Sequence, residues 1–295
     1  MLFRGSGVAI VTPFNEDGSV NMESFVTLLN FHLSHGTDAI IVTGTTGEAS
    51  TMTEDEKFAV ISKAVEVVNG RIPVIAGTGS NNTAASAAFS KKVAALGVDG
   101  LLVVTPYYNK TSKRGLYEHF KCIAEAAAPV PIILYTVPGR TGVEIPVETV
   151  SELSKIDNIV GIKDATGSIG YAINVRNNTP DDFAIYSGND DMIVPLLSVG
   201  GAGVISVLAN CMPQETHDMI EEFFNGNVQK ATNLQLKLNP FIDALFVETN
   251  PIPVKAAMNK MGFDVGSLRL PLYEAEDSTK ELLRREMMAL GIVCS

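Results

Sequence analysis

A lysine stands at the end of a short apolar run in the middle of the chain. Lys163 follows Val160–Ile162 and precedes Asp164. Taken alone, a lysine beside an aspartate is more often a solvated strand end or an ion pair, because lysine is rarely buried. A lysine that is buried loses its proton more easily, and its neutral amine can then attack a ketone to form a Schiff base. Lys163 is therefore a candidate covalent nucleophile.

A glycine-rich turn offers hydroxyl groups and backbone donors. The turn Gly44–Glu48 contains Thr45 and Thr46, and its N–H groups and hydroxyls can hold a carboxylate. The alternative is an ordinary loop in which the glycines supply the turn and the threonines cap it. The turn matches neither the dinucleotide-binding glycine motif nor the P-loop, so it does not indicate a nucleotide site.

Aromatic residues and an arginine follow two other apolar runs. Tyr135 ends one run, and its phenol can shuttle protons or can simply be packed with its hydroxyl bonded. Arg140, on the Pro/Gly loop that follows, can bind a carboxylate with its planar guanidinium, although loop arginines are often surface residues. Tyr107 and Tyr108 follow an earlier run, where paired aromatics indicate either an interface or plain packing.

Eight short aliphatic runs recur along the chain, and each is followed by a longer segment with helical periodicity. This alternation is typical of βα units around a parallel sheet. Eight units suit closure into an α/β barrel of the (β/α)8 TIM type, with an open doubly wound sheet as the alternative. Active sites of such barrels lie at the carboxyl ends of strands, which is where Lys163 stands. The predicted strands are Gly7–Val11, Ala39–Val42, Pro73–Ala76, Leu101–Val104, Ile132–Val137, Val160–Asp164, Phe183–Ser187 and Val204–Val207.

The segment after the eighth run predicts additional C-terminal helices. It is long enough for three or more of them, interrupted near Pro251, Pro253 and Pro271. No Gly/Ser linker or low-complexity tract divides the chain. We therefore expect a catalytic barrel over residues 1–225 and a C-terminal helical appendage over residues 226–295, packed on the barrel.

The composition narrows the range of partners. The chain has 22 Lys+Arg against 33 Asp+Glu, and its formal net charge of -11 would repel nucleic acid and anionic lipid. Cys122, Cys211 and Cys294 form no C-x-x-C pair, and the 4 histidines lack a zinc-binding spacing. The apolar run Val8–Val11 is too short for a signal peptide or a membrane span. We expect a cytoplasmic protein with no metal, membrane or nucleic-acid partner.

Taken in order, these motifs resemble those of the dihydrodipicolinate synthase family, within the superfamily of N-acetylneuraminate lyases and pyruvate-dependent class I aldolases. Each motif alone is weak, and the resemblance rests on the ordered set, which spans most of the chain. The matching segments are Gly44–Glu48, Thr105–Asn109, Tyr135–Gly142, Gly161–Gly167, Ser187–Asp191 and Gly200–Ser206.

The resemblance implies a lyase that needs no cofactor. The family condenses pyruvate with L-aspartate 4-semialdehyde to give 4-hydroxy-tetrahydrodipicolinate, in lysine and diaminopimelate biosynthesis. By matching motif, Lys163 would form the imine with pyruvate and Tyr135 would be the acid/base. Thr46 and Tyr108 would complete a hydroxyl relay, with Tyr108 supplied by the neighbouring subunit. The family is commonly a tetramer, a dimer of tight dimers, and some members stop at the dimer.

The same resemblance assigns substrate-binding residues. The backbone donors of Thr45 and Thr46 would hold the pyruvate carboxylate, and Arg140 would guide the carboxylate of the semialdehyde. Gly188 and Ile205 would line the pyruvate pocket through small size or backbone contacts.

Four other functions remain as alternatives. N-acetylneuraminate lyases and 2-keto-3-deoxy sugar acid aldolases share the lysine and the tyrosine. The sialic-acid lyases generally lack an arginine at the position of Arg140 and carry Ser-Thr in place of Thr45-Thr46, which favours the synthase. A non-catalytic keto-acid-binding protein would usually have lost Lys163 or Tyr135. A nucleotide-binding α/β enzyme would need a phosphate-loop motif, which the chain lacks.

Six positions correspond to the site at which some family members are inhibited by lysine. Such members often carry histidine and a second glutamate where this chain has Lys57 and Ala85. A cationic Lys57 would repel the ammonium group of an incoming lysine, so we expect weak or absent inhibition. The six positions are Ser50, Glu54, Lys57, Asn81, Ala85 and Tyr107.

Overall fold

The computed structural model describes residues 1–293, and its strands form one closed barrel. Every strand pairs in parallel with its neighbours in chain order, and the first pairs with the eighth. This arrangement confirms the predicted (β/α)8 TIM barrel, and the predicted strand bounds are correct within two residues. The strands are β1 (Gly5–Ala9), β2 (Ala39–Val42), β3 (Val74–Gly77), β4 (Gly100–Val104), β5 (Ile132–Thr136), β6 (Ile159–Asp164), β7 (Ala184–Ser187) and β8 (Gly203–Ser206).

Helices follow each strand and continue beyond the barrel. Those between strands are α1 (Met22–Ser34), α2 (Glu54–Val68), α3 (Thr83–Ala94), α4 (Lys113–Ala127), α5 (Pro138–Thr141), α6 (Val147–Leu153), α7 (Ile169–Asn177) and α8 (Ile193–Leu197). Those after β8 are α9 (Pro213–Phe224), α10 (Val228–Leu245), α11 (Ile252–Lys260) and α12 (Asp277–Ala289). The proposed boundary between barrel and appendage, after residue 225, follows the end of α9.

The strands are apolar throughout because they separate two apolar layers. Successive residues of a strand point to opposite sides. On β5, Leu134 points outward into the core beneath the helices, whereas Ile133 points into the barrel. The inward layer begins near Phe3, whose ring stacks on Tyr186 with 4.3 Å between centroids. The Tyr186 hydroxyl donates to the Phe3 carbonyl at 2.7 Å, which closes the amino-terminal end of the barrel.

An ion pair between Arg269 and Glu56, a residue of the capping box of α2, attaches the C-terminal segment to the barrel. Thr53 and Glu56 form a capping box at the start of α2, as their spacing predicts. The same Glu56 carboxylate accepts hydrogen bonds from the Arg269 guanidinium at 2.6 and 2.9 Å. These bonds lower the pKa of Glu56 to about 2. Arg269 therefore holds the segment between α11 and α12 against the barrel.

The C-terminal helices pack on one another and on the end of the barrel. Helix α10 packs against α9, and α12 packs against both α10 and α11. Pro251 precedes α11, Pro253 lies in its first turn and Pro271 lies between α11 and α12, so all three interruptions fall where the sequence predicts them. Helix α10 instead continues through Pro240.

The structure describes two of the three cysteines. Cys122 is exposed and Cys211 is buried, and both are free thiols. Burial raises the pKa of the Cys211 thiol to about 12, so it stays protonated. Cys294 lies outside the described residues. Within residues 1–293, no helix has the length and apolar character needed to cross a membrane.

Candidate active site

Lys163 lies inside the barrel at the carboxyl end of β6. It is 6% exposed, and it stands in register between Tyr135 of β5 and Tyr186 of β7. Its Nζ lies 4.5 Å from the centre of the Tyr135 ring. The structure thus confirms a buried lysine at a strand end, and it brings the two candidate catalytic side chains into direct contact.

The aspartate that follows Lys163 is not its partner. Asp164 is the next residue of the strand, so its side chain points to the opposite side, toward the helices. Its carboxylate accepts a hydrogen bond from the Thr166 N–H at 2.8 Å. Burial raises the pKa of Asp164, and the charge of Glu144 adds to this effect. The interpretation of Lys163-Asp164 as an ordinary ion pair is therefore wrong.

Gly188 and Ile205 lie beside Lys163, at the ends of the next two strands. The Gly188 N–H donates to the Asp164 carbonyl at 2.7 Å, and a Cβ at residue 188 would lie 2.6 Å from the Cβ of Ala165. Only glycine fits there. Ile205 is fully buried in the inward layer of the barrel. The expectation that both residues line the pyruvate pocket stays a prediction, since neither is among the residues that line the main cavity.

A buried aspartate that the sequence analysis did not single out supports this end of the barrel. Asp190 is 1% exposed, and its Oδ2 accepts from the N–H groups of Val207 and Leu208 at 3.0 and 2.9 Å. These bonds fix the backbone that leaves β8 just after Ile205. Burial raises the pKa of Asp190, and the positive charge of Lys163 opposes that rise.

The turn after β2 is strained at positions other than its glycines. Thr43 and Glu48 have φ values of 53° and 54°, whereas Gly44 and Gly47 do not adopt the left-handed conformation. The expectation that the glycines supply the turn is wrong in this respect. The turn lies close to β3, and this is possible because residue 77 is glycine. A Cβ at residue 77 would lie 2.3 Å from the Thr43 carbonyl oxygen. A left-handed threonine costs about 1–3 kcal/mol and persists only where its surroundings hold it.

Thr45 and Thr46 of this turn both have backbone N–H groups without a backbone acceptor among the described residues, and Thr46 also has a buried hydroxyl. Within residues 1–293, neither the Thr45 N–H nor the Thr46 N–H donates to another backbone carbonyl. Both are available to a carboxylate. The Thr46 side chain is 3% exposed, and its Oγ1 accepts a hydrogen bond from Asn250 Nδ2 at 3.0 Å.

A cavity of about 420 Å³ is lined by three of the predicted site residues, whereas Lys163, Thr46, Gly188 and Ile205 are not among the residues that line it. The three that line it are Thr45, Tyr135 and Arg140. The Arg140 side chain is tied back by a hydrogen bond from its Nη2 to the Asn250 carbonyl oxygen at 3.1 Å. Thr45 and Arg140, two of the residues predicted to bind carboxylates, therefore share one cavity with the Tyr135 phenol.

Tyr108 is not part of the site formed by one chain. Its side chain is 92% exposed with a φ of 69°, and it does not line the cavity, whereas Tyr107 does. A phenol this exposed is hardly covered by the part of its own chain that the structure describes. The position agrees with the expectation that Tyr108 acts in another subunit, without testing it.

The segment that begins α11 contributes two residues that the sequence analysis treated only as part of a helix boundary. Asn250 contacts both Thr46 and Arg140, and Lys255 forms a buried ion pair with Glu48 at 3.0 Å. In the sequence, the only indication of these two contacts was an asparagine and a lysine within an otherwise apolar, proline-rich segment. Among the described residues, no group of three or more His, Cys, Asp or Glu is arranged to hold a metal ion.

A closed α/β barrel with a buried lysine at a strand end, packed against a tyrosine, is typical of the α/β-barrel lyases that resemble class I aldolases. Comparison with known proteins narrows this class. The chain matches the dihydrodipicolinate synthetase family over residues 2–290, and it belongs to that family.

Individual relatives are similar over the full length. The 4-hydroxy-tetrahydrodipicolinate synthase of Caldicellulosiruptor saccharolyticus is 57% identical over 291 residues, which cover 99% of this chain and 98% of the relative. The dihydrodipicolinate synthase of Cyanidioschyzon merolae, solved with lysine bound, has a TM-score of 0.97 at 41% identity, covering 99% of each chain. That of Acinetobacter baumannii, complexed with pyruvate, has a TM-score of 0.96 at 42% identity, covering 99% of this chain and 100% of the other.

Proposed function

We propose that this chain condenses pyruvate with L-aspartate 4-semialdehyde through an imine on Lys163 and forms 4-hydroxy-tetrahydrodipicolinate for lysine and diaminopimelate biosynthesis. The observation that carries the proposal is the buried Lys163 amine, 4.5 Å from the Tyr135 ring inside the barrel. The name of the Caldicellulosiruptor relative and the pyruvate complex of the Acinetobacter relative support the same substrates. No cofactor takes part in the proposed reaction.

Pyruvate binds first, with its carboxylate on the N–H groups of Thr45 and Thr46. These backbone donors are neutral. They therefore hold the carboxylate without placing a second positive charge beside Lys163. Gly188 and Ile205 leave the ketone room to approach the amine. Binding in this pose converts the attack into an intramolecular step.

The imine then acts as an electron sink. The Lys163 amine adds to the ketone carbon and water leaves, which forms a protonated imine. The positive nitrogen makes the adjacent methyl group acidic, and loss of a proton gives an enamine. The enamine carbon attacks the aldehyde carbon of the second substrate, and a C–C bond forms. The amino group of that substrate next displaces Lys163 from the imine carbon, which closes the ring and frees the enzyme.

Each of these steps moves a proton, so a relay of hydroxyls is more useful than one fixed base. Tyr135 is the acid/base that lies against Lys163. Thr46 and Tyr108 of the partner subunit extend the relay. We propose a homo-oligomer, a dimer of tight dimers, in which the tight pair completes each site. Sedimentation velocity tests this assembly, since a monomer with full activity at the assay concentration would contradict it.

The second carboxylate is proposed to bind Arg140, whose side chain lines the cavity. Its planar fork matches a carboxylate in two parallel hydrogen bonds. This contact favours the semialdehyde over the sugar substrates of sialic-acid lyases and keto-sugar acid aldolases. We further propose a cytoplasmic location, which agrees with the free thiols of Cys122 and Cys211.

The function is tested by trapping the intermediate and then comparing second substrates. Incubation with pyruvate and borohydride is expected to add one reduced pyruvate to the peptide that contains Lys163, because reduction of the imine gives a secondary amine that no longer hydrolyses. Turnover is expected with aspartate semialdehyde and not with N-acetylmannosamine. An adduct with only the sugar consumed would move the chain to the sialic-acid branch. A folded protein that forms no adduct would exclude the Schiff-base mechanism.

We predict weak or absent inhibition by lysine. Ser50, Lys57 and Ala85 line the same cavity as the site residues, and the Lys57 amino group stands 5.1 Å from the centre of the Phe89 ring. A second ammonium group would be repelled there. Initial rates are therefore expected to be unchanged when lysine is raised to the millimolar range.

A variant provides the matched control for this prediction. Lys57→His with Ala85→Glu removes the fixed positive charge and adds a carboxylate, so the double variant is expected to become more sensitive to lysine. Half-inhibition of the unmodified enzyme below millimolar lysine would contradict the prediction.

A further inference from the structure

The two peptide groups proposed to hold the pyruvate carboxylate are tied at their carbonyl ends. The Thr45 carbonyl accepts from the Glu48 N–H at 3.1 Å. The Gly44 carbonyl accepts from the Ala49 N–H at 3.3 Å. In a planar trans peptide the C=O and the N–H that follows it point in opposite directions. The N–H groups of Thr45 and Thr46 therefore point away from these two donors, and the backbone that carries the donors sets their direction.

Glu48, which supplies one of these donors, is held by its buried side chain. The side chain is 0% exposed, and its Oε1 accepts a hydrogen bond from Lys255 Nζ at 3.0 Å. Its Oε2 accepts from the Arg269 N–H at 3.1 Å. The backbone of Glu48 has a φ of 54°, which a residue other than glycine keeps only where its surroundings hold it. The bonds to the carboxylate therefore fix the strained corner of the turn.

The Lys255 amine has the contacts of a charged ammonium group. Besides Glu48 Oε1, its Nζ donates to the Thr12 carbonyl at 3.1 Å and to the Ser267 carbonyl at 2.7 Å. Three acceptors match the three N–H donors of an ammonium group. The centre of the Phe14 ring lies 4.4 Å from the same nitrogen and adds a cation–π contact. Lys255 thus joins the turn after β2 to the loop after β1 and to the segment after α11.

Stability alone does not account for this ion pair. A buried pair loses the hydration of both charges, and apolar side chains of similar volume often stabilise a protein equally well. An apolar pair supplies no fixed direction, whereas hydrogen bonds constrain both a distance and an angle. Direction matters here because Glu48 carries the donor to the Thr45 carbonyl, and Thr45 lines the same cavity as Tyr135.

We infer that Glu48 and Lys255 are positioning residues, which set the orientation in which the turn presents its N–H groups to the substrate carboxylate. The inference rests on the proposed function, because pyruvate is proposed to bind these N–H groups. Neither residue needs to touch the substrate or to transfer a proton. Loss of the pair is therefore expected to weaken the binding of pyruvate and to leave the rate with saturating pyruvate nearly unchanged.

Replacement of both residues by methionine tests the inference. Lys255→Met with Glu48→Met keeps side chains of similar volume and leaves neither charge without its partner, so the double variant is expected to fold. We expect its KM for pyruvate to rise by about 10-fold or more, the order of one hydrogen bond to a charged group. The kcat and the KM for the semialdehyde are each expected to change by less than about threefold.

A purely structural role would give a different pattern. A smaller folded fraction lowers the apparent kcat and leaves the KM for pyruvate unchanged. A KM for pyruvate within about threefold of that of the unmodified enzyme would therefore overturn the inference, whatever the change in kcat. An equal rise in the KM values of both substrates would also overturn it, because the defect would not be specific to the site of the pyruvate carboxylate.

A surface ion pair provides the matched control. Lys113→Met with Glu148→Met removes the same two charges from an exposed pair that is 2.8 Å long, and it is expected to leave kcat and both KM values unchanged. If the buried double variant does not fold, Lys255→Met with Glu48→Gln is measured in its place. Its amide oxygen keeps an acceptor for the Arg269 N–H, and the KM for pyruvate is expected to rise in the same direction.

Trapping with borohydride separates this inference from the proposed function. Imine formation needs pyruvate alone, so the pyruvate concentration that gives half the maximal trapping rate is measured without the second substrate. An unmodified enzyme that forms no adduct would overturn the proposed function. An unmodified enzyme that forms the adduct, with the same half-saturating pyruvate concentration as the double variant, would overturn the inference alone.

Discussion

Replacement of Lys163 by alanine is expected to abolish the reduced pyruvate adduct and to lower kcat/KM by roughly 1000-fold or more, as when a covalent nucleophile is removed from other enzymes. The structure gives the reason. The Lys163 amine, which we propose as the nucleophile, lies inside the barrel, 6% exposed and against the Tyr135 ring. Without it, no imine forms and the methyl group of pyruvate does not become acidic.

Two matched variants test whether the loss of activity is specific to the Lys163 amine. Lys163→Arg retains the positive charge at the same place, yet a guanidinium stays protonated and forms no imine, so its activity is expected to be lost equally. Lys155→Ala removes an exposed lysine just before β6 and is expected to leave the adduct and the rate unchanged. Mass spectrometry of the borohydride-treated variants measures both. An adduct that persists in Lys163→Ala, on any other lysine, would contradict the assignment.

Lys255→Met is expected to cause the largest loss of stability, about 3–5 kcal/mol in the free energy of unfolding, because it leaves a buried carboxylate without its partner. The Lys255 and Glu48 side chains are 1% and 0% exposed and lie 3.0 Å apart. Burial lowers the pKa of Lys255, and the charge of Glu48 opposes that shift. The amine also donates to two backbone carbonyls, which lose their donor in the variant.

Urea titration followed by circular dichroism measures this effect. Adding Glu48→Gln to Lys255→Met removes the unpaired charge and is expected to restore part of the lost stability. Lys113→Met breaks the ion pair with Glu148, which is 2.8 Å long and lies on the surface, and is expected to leave the urea midpoint unchanged. A midpoint shift for Lys255→Met no larger than that of Lys113→Met would show that the buried pair is not needed for stability.

The architecture could be read from the sequence because it is encoded locally. Eight aliphatic runs followed by helical segments define parallel strands covered on both sides, and this pattern needs no knowledge of distant residues. The same holds for the capping box of Thr53 and Glu56 and for the prolines at the start of α11. A lysine at the end of such a strand could be recognised for the same reason, since barrel closure brings all carboxyl ends to one face.

The conformation of the turn after β2 could not be read in this way. Left-handed Thr43 and Glu48 contradict local preference, which would place positive φ values at Gly44 or Gly47. Thr43 is held by its hydroxyl, which donates to the Gly77 carbonyl at 3.0 Å on the neighbouring strand. Such a conformation exists only once the strands are assembled.

The eight aliphatic runs and the motifs that follow them were enough to predict the (β/α)8 barrel and to select Lys163, Tyr135 and Arg140 as candidate site residues. Only the tertiary structure showed that Asn250 and Lys255 hold the active-site turn, across 204 and 207 residues of sequence. The physical reason is the range of the interactions. Hydrophobic periodicity and capping act between residues a few positions apart, whereas the partner of a buried amide or ammonium group depends on where the C-terminal helices close over the barrel.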